Sequence, residues 1–249
     1  MYFAHIPKTA GTSLVSVLER AFAQTEIAAP RRWEEFADFD FARCNDYRLW
    51  RGHFGAHGLE ALLTRPCVKV TMLRDPVQLA WSRYRYILSD SSTRLHAQVQ
   101  AQCATFQAFL DLPNARVLLS NPQCRSLSFR LNKSVTRAAL IGALQKEDPD
   151  AWIKSVQLEL SAADQFEAAL ELLEAMPWFG ITEQFALSVQ ALEKYLGLTP
   201  SDSPHLLRGE RGDPQQVTDK ARQRVRELAP FDHDLYEISV RRLKNRVLY

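Results

Sequence analysis

The sequence predicts an α/β protein: a mainly parallel sheet with helices on its faces, followed by a helical C-terminal half. Short apolar runs bounded by turn residues read as strands at residues 2–6, 47–54, 68–73 and 178–182. Longer stretches separate them, as parallel strands joined by crossovers require. From Phe166 onward, apolar residues recur at helical spacing in three stretches, 166–176, 185–196 and 235–247.

In chain order, "YFAHI" opens as the first strand and runs into "HIPKTAGTS". Thr12 or Ser13 is the expected cap of a first helix whose apolar face holds Leu14, Val17, Leu18 and Phe22. "YRLWRGHF" and "VKVTML" supply the second and third strands. Pro76 suits the first position of a helix running to about Leu88, because that position needs no backbone donor. Phe166, Leu170, Leu173 and Met176 form one helical stripe, and Phe185, Val189, Leu192 and Leu196 form the next. "WFGIT" lies between them as the fourth strand. "TPSDSPHLLRGERGDP", residues 199–214, reads as a long loop. Leu235, Val240, Leu243 and Val247 close the chain on a helix. No linker or repeat divides residues 1–249, so a single domain is expected.

Composition narrows the classes of function. The 249 residues are 46% hydrophobic and 24% charged, values of an ordinary globular protein. A net charge of +2 gives no general polyanion-binding surface and no expectation of a nucleic-acid partner. Cys44, Cys67, Cys103 and Cys124 are widely separated and form no metal-ligand pair, so no zinc site is expected and the thiols read as reduced. No apolar run reaches the ~20 residues of a membrane span. With a turn already at residue 7 there is no signal peptide in view, and a soluble, cytoplasmic protein is the expectation.

The first chemical signal is that turn. Backbone N–H groups of residues 8–13 (Lys8, Thr9, Ala10, Gly11, Thr12, Ser13) gather at the start of a helix, a nest that suits a phosphate or similar oxyanion. Gly11 permits close backbone approach, Lys8 adds a mobile cation, and Thr12 and Ser13 add hydroxyl donors. A nucleotide kinase carries its lysine directly after the last glycine; here Lys8 precedes it, which disfavours MgATP chemistry. Taken alone, a plain capped helix explains the turn nearly as well.

"VTMLRDPVQLAWSRYRYI" adds the second signal. Arg74 ends a strand where ligands bind in open α/β sheets, and its guanidinium can fork onto a phosphate, with Ser82 as a further donor. A local Arg74–Asp75 ion pair ending the strand is the simpler reading of this segment alone.

Together, "IPKTAGTS" and "LRDPVQLAWSRY" resemble the sulfotransferases that use 3′-phosphoadenosine 5′-phosphosulfate (PAPS), closest to the heparan sulfate and uronyl 2-O-sulfotransferase branch. The likeness continues in "RGHFGAHG", "NPQCRSLS", "FGITEQFALSVQALEKYLG" and "DHDLYEISVRRL", in the family's order over most of the chain. It implies a three-layer sandwich like that of P-loop nucleotide-binding proteins, with PAPS as cosubstrate and no metal. It assigns Lys8, Thr9, Gly11, Thr12 and Ser13 to the 5′-phosphosulfate, with Ala10 in the same turn, and Arg74 and Ser82 to the 3′-phosphate. Lys8 would offset charge on the leaving oxygen. Leu79 stands where the family usually carries Arg, so one auxiliary charge is missing.

A sulfuryl transfer needs a base for the acceptor hydroxyl. His53 matches the family's histidine; His57 is the main rival and Glu60 a third option. Leu206 and Arg208 are the expected contacts of the 199–214 loop with adenine and 3′-phosphate. The implied acceptor is a hydroxyl-bearing molecule, a glycan or a small alcohol. Arg125 lines the acceptor site or caps a helix. Trp33, Phe36, Phe39, Phe41, Tyr47 and Trp50 read first as core, and Arg83, Arg85 and Arg94 as a solvated helix face. A small-molecule kinase and a non-catalytic nucleotide-binding module remain the alternatives.

Overall fold

The protein's structure, a computed structural model, describes residues 1–200 and 217–248. Strands β1 (Tyr2–Ala4), β2 (Trp50–Gly52), β3 (Lys69–Leu73) and β4 (Trp178–Ile181) form one parallel sheet in the order β2-β1-β3-β4. Tyr2 lies opposite both Trp50 and Lys69, and Leu73 lies opposite Ile181. Every strand residue except Lys69 is buried. A parallel sheet covered on both faces demands that, which is why these strands read as unbroken apolar runs.

Among the described residues the helices are α1 (Gly11–Leu18), α2 (Pro76–Ser89), α3 (His96–Gln102), α4 (Phe106–Asp111), α5 (Pro113–Leu119) and α6 (Pro122–Ser128). Then come α7 (Arg137–Leu144), α8 (Pro149–Val156), α9 (Ala162–Ala175), α10 (Phe185–Leu196), α11 (Asp219–Leu228) and α12 (Pro230–Leu248). Alternate strand residues point to opposite cores. Phe3, Val70 and Met72 pack with Leu14 and Leu18 of α1 and Val189 and Leu192 of α10. Tyr2, Ala4, Leu73, Phe179 and Ile181 pack with α6, α9 and α12 through Leu127, Leu173 and Leu235. A third cluster joins α2, α3, α4, α5 and α11 around Tyr84, Phe109 and Val225.

Two element boundaries differ from expectation. The first helix starts at Gly11, with Ala10 in the cap position at φ 64°, so neither Thr12 nor Ser13 caps it. The second strand is only three residues long, because Leu49 pairs as an isolated bridge with Ile27 and His53 turns out of the sheet. Trp33, Phe36, Phe41 and Trp50 are core, with Phe36 stacked on Phe41 and Trp50 at 5.8 and 6.1 Å. No helix among the described residues is long and apolar enough to cross a membrane.

Candidate functional site

The strand order reverses at β1, which has β2 on one side and β3 on the other. Loops leaving the carboxyl ends of adjacent strands at such a point diverge and form a crevice. Here those ends carry the turn 5–10, His53 and Arg74.

Lys8 and Ala10 both hold positive φ, 71° and 64°, without being glycine. Single non-glycine residues in this region are strained and concentrate at functional sites. The buried Thr9 hydroxyl donates to the Ile6 carbonyl at 2.8 Å and pins the turn from inside. Gly11 serves close packing, since a Cβ there would lie 1.8 Å from Nε2 of His5. Its approach is thus to the His5 ring beneath the turn.

Arg74 reaches across from β3 and donates from Nη1 to the Lys8 carbonyl at 2.9 Å, joining the two sequence motifs. Its backbone is clamped by one side chain. The Arg74 N–H donates to Gln123 Oε1 and Gln123 Nε2 donates to the Arg74 carbonyl, both at 2.9 Å. Glu183 is its acidic partner, 3.8 Å from Nε. Burial holds the Glu183 carboxyl above its usual range, against the pull of its hydrogen bonds and Arg74. The Asp75 carboxylate caps α2 by accepting from the Gln78 N–H at 2.9 Å.

The brace continues to the last helix. Asp232, fully buried, accepts the N–H groups of Gln123 and Cys124 at 2.9 and 2.8 Å, while Asn121 Oδ1 accepts the Asp232 N–H at 3.1 Å. One turn on, the Tyr236 hydroxyl donates to Glu183 at 3.0 Å. Helix α12 thus holds both supports of Arg74.

Lys8 places its ammonium 4.1 Å from the Tyr86 ring centroid, a cation–π contact. Tyr86 follows Ser82 by four residues, so Ser82 shares that face of α2. Burial, and then the charges of Arg74 and Arg83, lower the Lys8 pKa. Arg83 is not a solvated surface residue: it is buried, and its Nη1 donates to the Leu118 carbonyl at 2.8 Å. Burial and the neighbouring Arg125 push it down to about 10, partly offset by Asp232. Arg125 also donates to Leu118 O, at 3.2 Å, which makes it a cap for the end of α5. Arg94 is exposed, as expected.

His53 donates from Nδ1 to the His5 carbonyl at 2.8 Å. A carbonyl cannot donate, so the neutral ring carries its proton on Nδ1 and its lone pair on Nε2. Burial lowers the His53 pKa, with Arg32 and Arg83 acting in the same direction against the hydrogen bond to His5. His53 lines a cleft of ≈ 330 Å³ together with His5, Thr12, Arg31, Arg32 and Glu35. Of the phosphate-turn candidates Thr12 lines this cleft with His53, whereas Lys8, Ala10, Gly11, Arg74 and Ser82 are not among its lining residues.

The rivals lie elsewhere. His57 Nδ1 is 2.8 Å from Glu60 Oε1 and 2.9 Å from Lys69 Nζ. Lys69 begins β3, about five residues or ~16 Å along the strand from Arg74. Burial raises the Glu60 pKa, but the hydrogen bonds of His57 and Lys69 outweigh it and hold the carboxyl at about 2. A carboxylate so held is a poor base at neutral pH. Leu206 and Arg208 lie outside the described residues, as does the 199–214 loop beyond residue 200.

Sequence reasoning missed His5, Gln123, Glu183, Asp232 and the burial of Arg83. All of them stand in segments already singled out: His5 in "HIPKTAGTS", Arg83 in "LRDPVQLAWSRY", Gln123 in "NPQCRSLS", Glu183 in "FGITEQFALSVQALEKYLG" and Asp232 in "DHDLYEISVRRL". No known protein-family model matches the chain, and no curated protein sequence matches it either.

Proposed function

We propose that the protein is a sulfotransferase that moves a sulfuryl group from PAPS to an acceptor hydroxyl, with His53 as general base. One observation carries this reading. The strained Lys8–Ala10 turn at the start of α1, Arg74 bonded to that turn, and a tautomer-fixed His53 converge at the carboxyl ends of three adjacent strands. The parallel sheet covered on both faces is compatible with the P-loop-like three-layer sandwich that the sequence resemblance implies.

The residues fit such a nucleotide. Backbone N–H groups of the turn and the Lys8 ammonium suit the 5′-phosphosulfate, and Arg74 with Ser82 suits the 3′-phosphate. PAPS, when bound, supplies an activated sulfuryl group on a good leaving phosphate. His53 Nε2 takes the acceptor proton as the acceptor oxygen bonds to sulfur and the sulfur–phosphate oxygen bond breaks. Lys8 and the turn amides stabilise the electron pair left on that phosphate oxygen. The low His53 pKa keeps the base neutral and available at neutral pH. The acceptor is a glycan or a small alcohol that enters the cleft beside Thr12 and His53.

Incubation with PAPS and a panel of hydroxylated acceptors tests the reading. Transfer by the wild type, and its loss by ~10²-fold or more in a His53→Ala variant that still binds nucleotide, is the expected result. Undiminished transfer in that variant would remove His53 from the mechanism. Nucleotide binding without any transfer would favour a binding module.

A further inference from the structure

We propose that His5 is a positioning residue that couples the oxyanion turn to the His53 base, its ring wedged between Gly11 and the His53 imidazole. The inference rests on the reading of His53 as the base. His5 follows β1 directly, and its ring stands in a short ladder. Phe3 stacks on it at 5.2 Å with 16° between the planes, and His53 lies against it at 4.3 Å with 33° between the planes. The ring also lies against Gly11, where an added Cβ would meet Nε2, Cδ2 and Cε1 at 1.8, 2.1 and 2.5 Å. The His5 carbonyl meanwhile accepts from His53 Nδ1 and sets the tautomer. One residue therefore touches the first helical residue of the turn and fixes both the rotation and the protonation of the base.

The wedge has the right chemistry for that position. Burial first, then the charges of His53, Arg31 and Lys8, holds the His5 imidazole at about 3, so it is neutral wherever the protein works. When His53 takes a proton, it meets the face of a neutral aromatic ring and not a second cation. His53 is also faced by Arg32 and Glu35 from the 31–35 segment and by Arg83 from α2. Those charges remain whatever stands at position 5, so a change at His5 isolates the ring's own effect.

Titration of histidine Cε1–H signals by NMR tests the coupling, with the His53 signal identified by its loss in His53→Gln. In the wild type His53 titrates below the ordinary ~6.5. In His5→Ala the midpoint should rise by about half a pH unit or more, as the ring is wetted and freed. His5→Phe, which keeps an aromatic face, should hold the midpoint near the wild-type value. It also serves if His5→Ala fails to fold. Gly11→Ala should move the His53 midpoint in the wild-type background and leave it unmoved in His5→Ala, a double-mutant cycle on a residue that His53 reaches through the ring. An unchanged midpoint in His5→Ala, a wild-type midpoint lost in His5→Phe, or an equal effect of Gly11→Ala in both backgrounds would overturn the proposal. The titration needs no nucleotide or acceptor, so failure of nucleotide binding would count against the sulfotransferase reading and not against this coupling.

Discussion

Replacing His5 with Phe should flatten the acid side of the protein's stability curve. The folded imidazole, buried and facing Lys8, Arg31 and His53, sits at about 3, against 6.5 for the same group in the unfolded chain. Between those values the unfolded state binds the proton and the folded state does not, so stability falls as pH falls. Integrated from about pH 7.5 to about pH 5, this linkage amounts to about 2 kcal/mol, and it reaches about 4 kcal/mol by pH 3. His53 and His233, also lowered by burial, act with the same sign. The ion pair that holds Glu60 at about 2 is lost as pH falls through that value, below the window used here. The assay is urea unfolding followed by fluorescence of the five tryptophans at the two pH values. Comparing each protein with itself across pH cancels the packing change that Phe introduces. The wild type should lose about 2 kcal/mol more than His5→Phe between pH 7.5 and pH 5. Equal losses would mean that the His5 ring is not held neutral, and the electrostatics assigned to the site would fall with it.

Further outcomes follow from the brace behind Arg74. Gln123→Ala removes both hydrogen bonds to the Arg74 backbone while leaving its guanidinium in place. It should weaken binding of 3′,5′-adenosine bisphosphate by ~10-fold, about 1–2 kcal/mol, in a calorimetric titration; wild-type affinity would show that the clamp does not position Arg74. Asp232→Ala leaves the buried N–H groups of Gln123 and Cys124 without their acceptor, and should cost about 2–5 kcal/mol in urea unfolding. A loss under 1 kcal/mol would refute the lock between α6 and α12. His57→Ala, remote from the crevice, should leave sulfuryl transfer within about threefold of wild type. A loss comparable to that of His53→Ala would move the base to His57.

The strands were legible because the sheet is parallel and covered on both faces, so "VTML" and "WFGI" carry no polar alternation to blur them. Helix α2 announced itself through Pro76, and α10 through its stripe of Phe185, Val189 and Leu192. The stretch from His96 to Val156 was not read as elements. Its helices are six to eight residues long, too short for a periodic signal to build. The cap of α1 escaped because Ala10 adopts a conformation that sequence rules assign to glycine or asparagine. The two cofactor motifs were visible as separate segments, but the bond between them, Arg74 to the Lys8 carbonyl, is tertiary. So is the burial of Arg83: a charged residue beside Ser82 looks like a solvated face until α5 and α6 pack over it. His5 sat in the quoted turn, and nothing in its spacing showed that its ring would lie between Gly11 and His53.

The most direct test of the functional account is calorimetric titration with 3′,5′-adenosine bisphosphate, the expected product nucleotide, beside ADP with and without magnesium. The account predicts magnesium-independent binding of the bisphosphate that is lost or weakened at least ~10-fold in Arg74→Ala. Absence of bisphosphate binding, with ADP bound only when magnesium is present, would contradict it and place a kinase or other nucleotide hydrolase first.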